Sequence, residues 1–280
     1  VEGIAAGIVK DLTGTSFTIH PHAFGLFGRN RRNVQRELEN ASGVVTISEY
    51  HRGYIADMCP RIAAADISVV HCGIEPGRIV PATRPPDRRP LRILSVGRAV
   101  ETKGQRYLID ACRRLVDAGV DFRCDIVVGA GESRSALLSQ IDRLELGDVV
   151  RLLGSRSEDE IVVLLGESDV FALACVVAAS GDRDGIPVSL MEAMSSALPV
   201  VTTSVAGIPE LVEHEVSGLV VPERDSAALA DALGRLLGDE TLRRRLGQRG
   251  REKVVADFDV ASGASKMAEI FRSFASERGH

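Results

Sequence analysis

The sequence predicts an α/β fold with parallel sheets, and three observations support this prediction. The strand-like segments are continuous apolar runs with little polar alternation, such as residues 170–174, which is typical of strands covered by helices on both faces. These runs alternate with segments of helical periodicity. At 280 residues, with 45% hydrophobic and 26% charged side chains, the chain is also long enough for two domains with real cores.

Residues 1–76 predict a short α/β alternation. A strand at residues 16–19 precedes a helix at 33–40, and a second strand at 43–47 leads into a further helix and a strand at 67–71. The opening residues have the pattern of the middle of a helix. We therefore expect an incomplete Rossmann-like N-terminal domain that lacks its start.

Prolines concentrated around residues 77–90 predict a linker, after which the alternation becomes regular. Residues 91–258 therefore predict a Rossmann-like domain with one parallel sheet. Its strands are expected at residues 91–96, 124–128, 149–153, 170–174, 199–203 and 218–221, and its helices at 105–118, 133–144, 158–165, 187–195, 226–237 and 240–256. A last helix within residues 259–280 is expected to pack back toward the N-terminal domain.

Composition excludes several classes of protein. The 34 basic and 39 acidic residues leave a net charge of -5, which provides no general attraction to nucleic acid. The five cysteines are widely spaced without a Cys-x-x-Cys pair, which favours a reduced compartment over a disulfide framework or a metal site. No apolar run is long enough to span a membrane, and the first residues lack the pattern of a signal peptide. We expect a cytoplasmic protein.

The first candidate site is the loop after the strand at residues 91–96. Because ligands of open α/β sheets bind beyond the carboxyl ends of the strands, loops at these positions are the first to consider. Arg98 and Lys103 follow Gly97 in this loop, where both cationic groups could converge on a diphosphate. The alternative is a solvated loop with two surface cations.

The second candidate is a strand-to-helix turn that contains Gly129 and Gly131. Glycines allow a ligand or another backbone segment to approach closely. Arg134 stands where a dinucleotide-binding Gly-x-Gly-x-x-Gly motif has its third glycine, so this motif is defective. A tight structural turn near a nucleotide fits the residues better than a site for NAD, and we expect Gly129 and Gly131 to contact the donor.

The third candidate lies before the predicted helix at residues 187–195. Pro187 suits the first helical position, so the amides of Gly185 and Ile186 are expected at a helix N-terminus, which favours a phosphate. The carboxylate of Glu192 can accept hydrogen bonds from hydroxyl groups, and Asp184 precedes the phosphate site. An acidic loop and a surface glutamate are the alternative interpretation.

Taken in order, these segments resemble the donor half of a retaining glycosyltransferase of the GT-B fold, family 4, in the branch that builds exopolysaccharides such as colanic acid. The resemblance extends from residue 17 to about residue 274 and includes the segment Gly-Ile-Pro-Glu, which ends at Glu210. It implies two Rossmann-like domains that face each other across a cleft. It also implies transfer of a sugar from a nucleotide-diphosphate sugar to an acceptor hydroxyl, with retention, and no metal or other cofactor.

The resemblance assigns roles to individual residues. Glu192 would bind the donor ribose, and Asp184 would face the transferred sugar together with the amides that follow it. Arg98 and Lys103 would grip the diphosphate and offset the charge that grows on the leaving nucleotide. Glu210 would belong to the donor site. The acidic pair of the family is usually Glu and Glu, so the shorter Asp184 departs from the pattern.

The acceptor side is expected in residues 1–76. His20 resembles the histidine that faces the reacting centre in this family, with His22 as a neighbour that could be confused with it. The turn at residues 48–50, Ser-Glu-Tyr, resembles one that lines the cleft. Arg29 begins a basic cluster, which also contains Arg31, Arg32 and Arg36, and which could approach an anionic membrane or a lipid-linked acceptor. A solvated helix face is the alternative.

Three functions remain open from the sequence. The leading one is a glycosyltransferase whose partners are a nucleotide sugar and a glycan or lipid-linked acceptor, with a peripheral contact to the inner membrane face as an option. The second is a truncated module that binds a nucleotide sugar without turnover. The third, an NAD-dependent oxidoreductase, is disfavoured by the defective glycine motif.

Overall fold

The fold is α/β with two parallel sheets, as the sequence predicts. The computed structural model describes residues 2–276 apart from 80, 82–88, 130 and 132. The N-terminal half contains a parallel three-stranded sheet in the order β1-β2-β3, formed by β1 (Thr18–Ile19), β2 (Gly43–Thr46) and β3 (Ile67–Val69). These strands are shorter than predicted, and most of the predicted linker at residues 77–90 lies outside the described residues.

Four helices surround this small sheet: α1 (Glu2–Thr13), α2 (Ala23–Phe27), α3 (Arg31–Asn40) and α4 (Glu49–Met58). Side-chain caps determine where two of them begin. The Asn30 side chain accepts hydrogen bonds from the amides of Arg32 and Asn33 in α3, and the Ser48 hydroxyl accepts one from the His51 amide in α4. Leu38 and Ile55 lie at the centre of the apolar core beneath them.

The C-terminal half contains a six-stranded parallel sheet in the order β6-β5-β4-β7-β8-β9. Its strands are β4 (Leu91–Gly97), β5 (Phe122–Val128), β6 (Val150–Leu153), β7 (Val170–Leu173), β8 (Val200–Thr203) and β9 (Leu219–Val221). The strand order reverses between β4 and β7. This is a topological switch point, and the crevice beyond the carboxyl ends of these two strands is the usual ligand site of such a sheet.

Helices cover both faces of the larger sheet: α5 (Gln105–Asp117), α6 (Arg134–Arg143), α7 (Glu158–Glu167), α8 (Val188–Ser195), α9 (Ile208–Leu211), α10 (Ser226–Gly238) and α11 (Glu240–Asp257). Neighbouring residues of β4 show why its sequence is continuously apolar. Ile93 belongs to one core cluster and Leu94 to another, and both are fully buried. Continuous apolar runs therefore mark a sheet that is buried on both faces.

The end of the chain returns to the N-terminal half. Ile74 pairs with Asp259 in an isolated parallel bridge, and the Val260 amide donates to the Ile74 carbonyl at 2.9 Å. The last helix, α12 (Val260–Ser276), places the ring of Phe274 against Gly43 at the start of β2. Across the described residues, no helix is both long and apolar enough to cross a membrane.

Candidate functional site

A cleft of about 500 Å³ lies at the switch point, between the two halves. Its C-terminal wall combines the loop after β4, the loop before α8 and one face of α8. This wall is lined by Val96, Gly97, Arg98, Lys103, Asp184, Gly185, Ile186, Pro187, Val188, Ser189 and Glu192. The opposite wall belongs to the N-terminal half and is lined by His22, Ala23, Phe24, Ile47 and Cys72. Two of the three loops predicted from the sequence therefore meet in one cavity.

An ion pair joins the first and third loops inside the cleft. Lys103 Nζ lies 3.1 Å from Asp184 Oδ1, and the two side chains are only 13% and 21% exposed. The stem of Lys103 packs against Gly97, where a Cβ atom would come within 3.2 Å of two of its carbons. Cys175 Sγ lies 3.7 Å from Asp184 Oδ2 and donates to it, because burial raises the pKa of this thiol far above its ordinary value.

The loop after β4 is fixed by its backbone. Gly104 has a φ of 62°, and a Cβ at this position would lie 1.8 Å from the carbonyl oxygen of Ala174, just after β7. The Gln105 side chain donates to the Arg98 carbonyl at 2.7 Å. The Arg98 side chain is exposed, and no bond joins its guanidinium to a described residue. This cation is available to an anion in the cleft.

The segment before α8 supplies amides to the same cavity. The helix begins at Val188, one residue later than predicted, with Pro187 as its N-cap. Gly185 and Ile186 are buried and line the cleft, and neither amide donates to a described backbone carbonyl. Free amides at the start of a helix favour a negatively charged ligand.

Glu192 lies between two cavities. It lines the cleft and also a neighbouring cavity of about 310 Å³, which Arg78 and Glu158 line as well. Its carboxylate has no hydrogen-bond partner among the described residues. Desolvation, followed by the charge of Glu158, raises the pKa of Glu192. A half-buried carboxylate without donors is suited to bind hydroxyl groups of a ligand.

Gly129 and Gly131, which we predicted to contact the donor, are not among the residues that line the cleft. A Cβ on Gly131 would lie 2.3 Å from the Ala99 carbonyl oxygen, to which the Ser133 amide donates at 3.0 Å. Gly131 therefore packs against the loop that carries Arg98. Among the described residues, a Cβ on Gly129 would come within 4 Å of one atom, Ser155 Oγ, at 3.5 Å.

The two histidines after β1 occupy different positions. His20 lines a separate cavity of about 630 Å³, whereas His22 lines both that cavity and the cleft. Their ring centroids are 4.8 Å apart, and desolvation, followed by the charge of His22, lowers the pKa of His20 to about 4. The structure thus brings His22, which we treated as a bystander, to the cleft, while a role for His20 stays a prediction.

Glu210 does not line the cleft either. Its carboxylate accepts hydrogen bonds from the amides of Glu49 and Tyr50, both at 2.9 Å, and from His71 Nε2 at 3.1 Å. Desolvation opposes ionisation of Glu210, but these hydrogen bonds outweigh it and lower the pKa. Glu210 therefore caps helix α4 of the other half. The predicted Ser-Glu-Tyr turn lies where α4 meets Glu210, and its residues are not among those that line the cleft.

The basic cluster is partly neutralised. Arg29 makes two hydrogen bonds to Glu37, at 2.9 and 2.5 Å, whereas Arg31, Arg32 and Arg36 are exposed. Contact of this cluster with a membrane stays a prediction. In the described part of the chain, no group of three or more His, Cys, Asp or Glu residues is placed to hold a metal ion.

Comparisons with known proteins place this chain in a family. Residues 81–253 match the family model of the glycosyl transferases group 1. The chain is 42% identical over 221 residues to the amylovoran biosynthesis glycosyltransferase AmsK of Erwinia amylovora, with 79% of this chain and 53% of that protein covered. It is 41% identical over 276 residues to the putative colanic acid biosynthesis glycosyltransferase WcaL of Escherichia coli K12, with 95% of this chain and 66% of that protein covered.

A solved structure supports the fold. Anabaena HepE in complex with UDP-glucose superposes with a TM-score of 0.82 at 22% sequence identity, over 97% of this chain and 75% of HepE. The chain spans between half and two thirds of the length of the two curated relatives above. Because the family model covers most of the chain, this protein belongs to the group 1 glycosyltransferases, with the α/β architecture of the GT-B fold.

Proposed function

We propose that this chain carries the donor site of a retaining, family 4 glycosyltransferase, which transfers a sugar from a nucleotide-diphosphate sugar to an acceptor hydroxyl. One observation carries the proposal. Arg98, Lys103, Asp184 and Glu192, which come from separate loops and a helix, converge with the free amides before α8 on one cleft at the switch point. The group 1 family and the UDP-glucose complex of HepE support the same class of donor.

The chemistry follows from where the charges lie. When the sugar leaves, negative charge grows on the nucleotide diphosphate, and preorganised cations and amides stabilise it without reorganisation. Arg98 supplies a planar fork of donors, and Lys103 supplies a point charge. The α8 N-terminus adds its amides. Glu192 accepts hydrogen bonds from ribose hydroxyls, which fixes the nucleotide along the cleft.

Asp184 is the residue that faces the sugar in this proposal. In the free protein, Lys103 and the thiol of Cys175 hold its carboxylate. A bound diphosphate draws the Lys103 ammonium toward itself, which releases Asp184 for the sugar hydroxyls. The leaving phosphate can accept the proton of the incoming acceptor hydroxyl, so no side-chain base is needed in the cleft.

The proposed setting follows from the relatives. AmsK and WcaL are described as acting in the biosynthesis of amylovoran and colanic acid, and we propose a related surface polysaccharide or glycolipid as the product. The acceptor is then a glycan or a lipid-linked sugar. The protein would act in the cytoplasm, with the exposed arginines of α3 toward the inner face of the membrane.

Donor turnover tests the proposal. The 280-residue chain is incubated with UDP-glucose, GDP-mannose and other nucleotide sugars, while released nucleotide is measured and the first anomer of the released sugar is observed by NMR. We expect one donor to be consumed with retention, and the Arg98→Gln variant to be impaired. Arg244→Gln is the control, because the exposed Arg244 pairs with Glu240 on the surface of α11. Inversion would refute the family 4 assignment, and binding without turnover would favour a donor-binding module.

A further inference from the structure

Arg183 connects the two walls of the cleft. It stands directly before Asp184, in the loop between β7 and α8. Its Nη1 donates to the hydroxyl of Tyr50 at 2.6 Å, and its guanidinium lies over the ring of Phe27, 4.8 Å from the ring centroid. Both partners belong to the N-terminal half, in α4 and α2, so one side chain of the Asp184 loop bonds to two helices of the opposite half.

The Arg183 guanidinium is also held by hydrogen bonds within its own loop. Nε and Nη2 both donate to the Gly181 carbonyl, at 3.2 and 3.0 Å. The Asp182 carbonyl accepts from the Ala178 amide at 2.8 Å, which closes the loop on itself. Because its guanidinium is already held in place, Arg183 loses little further conformational entropy when it donates to Tyr50.

The contact with α2 is what relates Arg183 to the cleft. Phe24 lies three residues before Phe27 on the same short helix, and His22 is its N-cap. Phe24 and His22 line the cleft opposite Asp184, and Phe24 is 69% exposed. Arg183 therefore has one end on the wall that carries Asp184 and the other on the wall that carries these two rings.

Two other contacts between the halves, those of Glu210 and Gly185, have a different geometry. Glu210 also bonds to α4, but it comes from α9 and not from the Asp184 loop. Gly185 packs against the side chains of Ile47 and His51, where a Cβ would come within 2.8 and 2.9 Å of them. That contact is one of close packing, whereas Arg183 joins the halves by a hydrogen bond to Tyr50 and a cation–π contact with Phe27.

We propose that Arg183 is a positioning residue that sets the width of the cleft, by bonding the Asp184 loop to Tyr50 and to the helix of Phe27. This inference rests on the proposed function only where it treats the cleft as the donor site. It predicts that a ligand held by Lys103, Asp184 and Glu192 also orders α2 and α4, because Arg183 transmits the closure of one wall to the other.

Hydrogen exchange of the full chain tests this role without a known acceptor. Without nucleotide, Arg183→Ala and Tyr50→Phe are each expected to speed amide exchange in residues 22–28 and 49–58 by at least about tenfold, the lower end of the factor that corresponds to one hydrogen bond to a charged group. Tyr54→Phe is the matched control. Tyr54 lies on the same helix and its ring is 4.9 Å from that of Phe27, but its hydroxyl bonds to no described residue of the loop.

Nucleotide addition separates this inference from the proposed function. With saturating UDP or GDP, wild type should gain protection at residues 97–104 and 184–192, and also at residues 22–28 and 49–58 across the cleft. Arg183→Ala should keep the protection at 97–104 and 184–192 and lose the gain at 22–28 and 49–58. If neither nucleotide protects wild type, the proposed donor site fails, while the nucleotide-free comparison still decides the role of Arg183. The inference would be overturned if wild type and Tyr50→Phe exchange at equal rates, or if Tyr54→Phe speeds exchange as much as Tyr50→Phe does. If Arg183→Ala does not fold, the comparison with Tyr50→Phe decides the question.

Discussion

Replacing Glu192 by glutamine exchanges one carboxylate oxygen for an NH2 group, so it tests directly whether this carboxylate binds the donor ribose. Glu192 is half-buried, lies between the cleft and the neighbouring cavity, and lacks a hydrogen-bond donor among the residues described. Ribose hydroxyls would supply the missing donors. Glutamine keeps the shape of the side chain and one acceptor oxygen, but removes the negative charge.

The expected loss of affinity follows from the type of bond. A hydrogen bond to a charged group contributes about 1.5–3 kcal/mol, and a neutral one about 1 kcal/mol. Glutamine can still accept one bond through its remaining oxygen, so we expect a loss of about 1–2 kcal/mol. This corresponds to a nucleotide Kd weaker by roughly 5- to 30-fold.

The same substitution should stabilise the free protein. Because burial raises the pKa of Glu192 in the folded state above its ordinary value of 4.5, ionisation of this group opposes folding. The penalty is absent below about pH 4.5, appears as pH rises through the pKa of the unfolded state, and is complete above the pKa of the folded state. Glu192→Gln should therefore unfold at a higher temperature than wild type at pH 7 and at a similar temperature near pH 4.

Calorimetric titration with the nucleotide that binds wild type, together with thermal melts at both pH values, checks the two effects. Glu252→Gln is the matched control, because it removes the same charge from the surface of α11, where Glu252 pairs with Arg249. Unchanged affinity in Glu192→Gln would refute the ribose-binding role. Lower stability at pH 7 would refute the interpretation of Glu192 as an unpartnered, desolvated carboxylate.

Three further changes have distinct expected outcomes. Arg98→Gln should leave the melting temperature unchanged but reduce donor turnover at least about tenfold, because an exposed cation contributes little to stability and acts on the developing charge; a fall in stability with normal turnover would contradict this. Gly104→Ala should lower the free energy of unfolding by at least about 2 kcal/mol, since its Cβ would overlap the Ala174 carbonyl. Gly119→Ala, also at positive φ but in open space, should lower it by about 1 kcal/mol. Denaturant titrations measure both values. Glu210→Gln should lower stability above pH 4.5 and match wild type at a pH below the lowered pKa of this carboxyl; pH-dependent melts that run parallel for the two proteins would contradict that.

Much of the larger half was predictable from sequence because its signals are local. A sheet that is buried on both faces requires continuous apolar strands, and β4 and β7 have them. The short helices α2 and α9 were missed because five and four residues are too few to show a helical period. Because α2 was missed, the sequence pattern did not indicate that His22, the N-cap of α2, lines the cleft and that His20 does not.

The rest of the site depends on contacts between distant parts of the chain. Glu210 meets the amide of Glu49 across 161 positions, and no local pattern distinguishes such a cap from a donor-binding residue. The same holds for Gly131, whose close approach to Ala99 is visible only in three dimensions. Arg183 had no signal of its own in the sequence, because its partners lie on helices of the opposite half.

The most direct test of the account is calorimetric titration of the 280-residue chain with UDP, GDP and ADP, for wild type and for a variant that combines Arg98→Gln, Lys103→Met and Glu192→Gln. The account predicts that one of these nucleotides binds wild type at a single site, and that the variant binds it at least about 100-fold more weakly while it remains folded. Equal affinity in the two proteins would contradict the assignment of the cleft as the donor site.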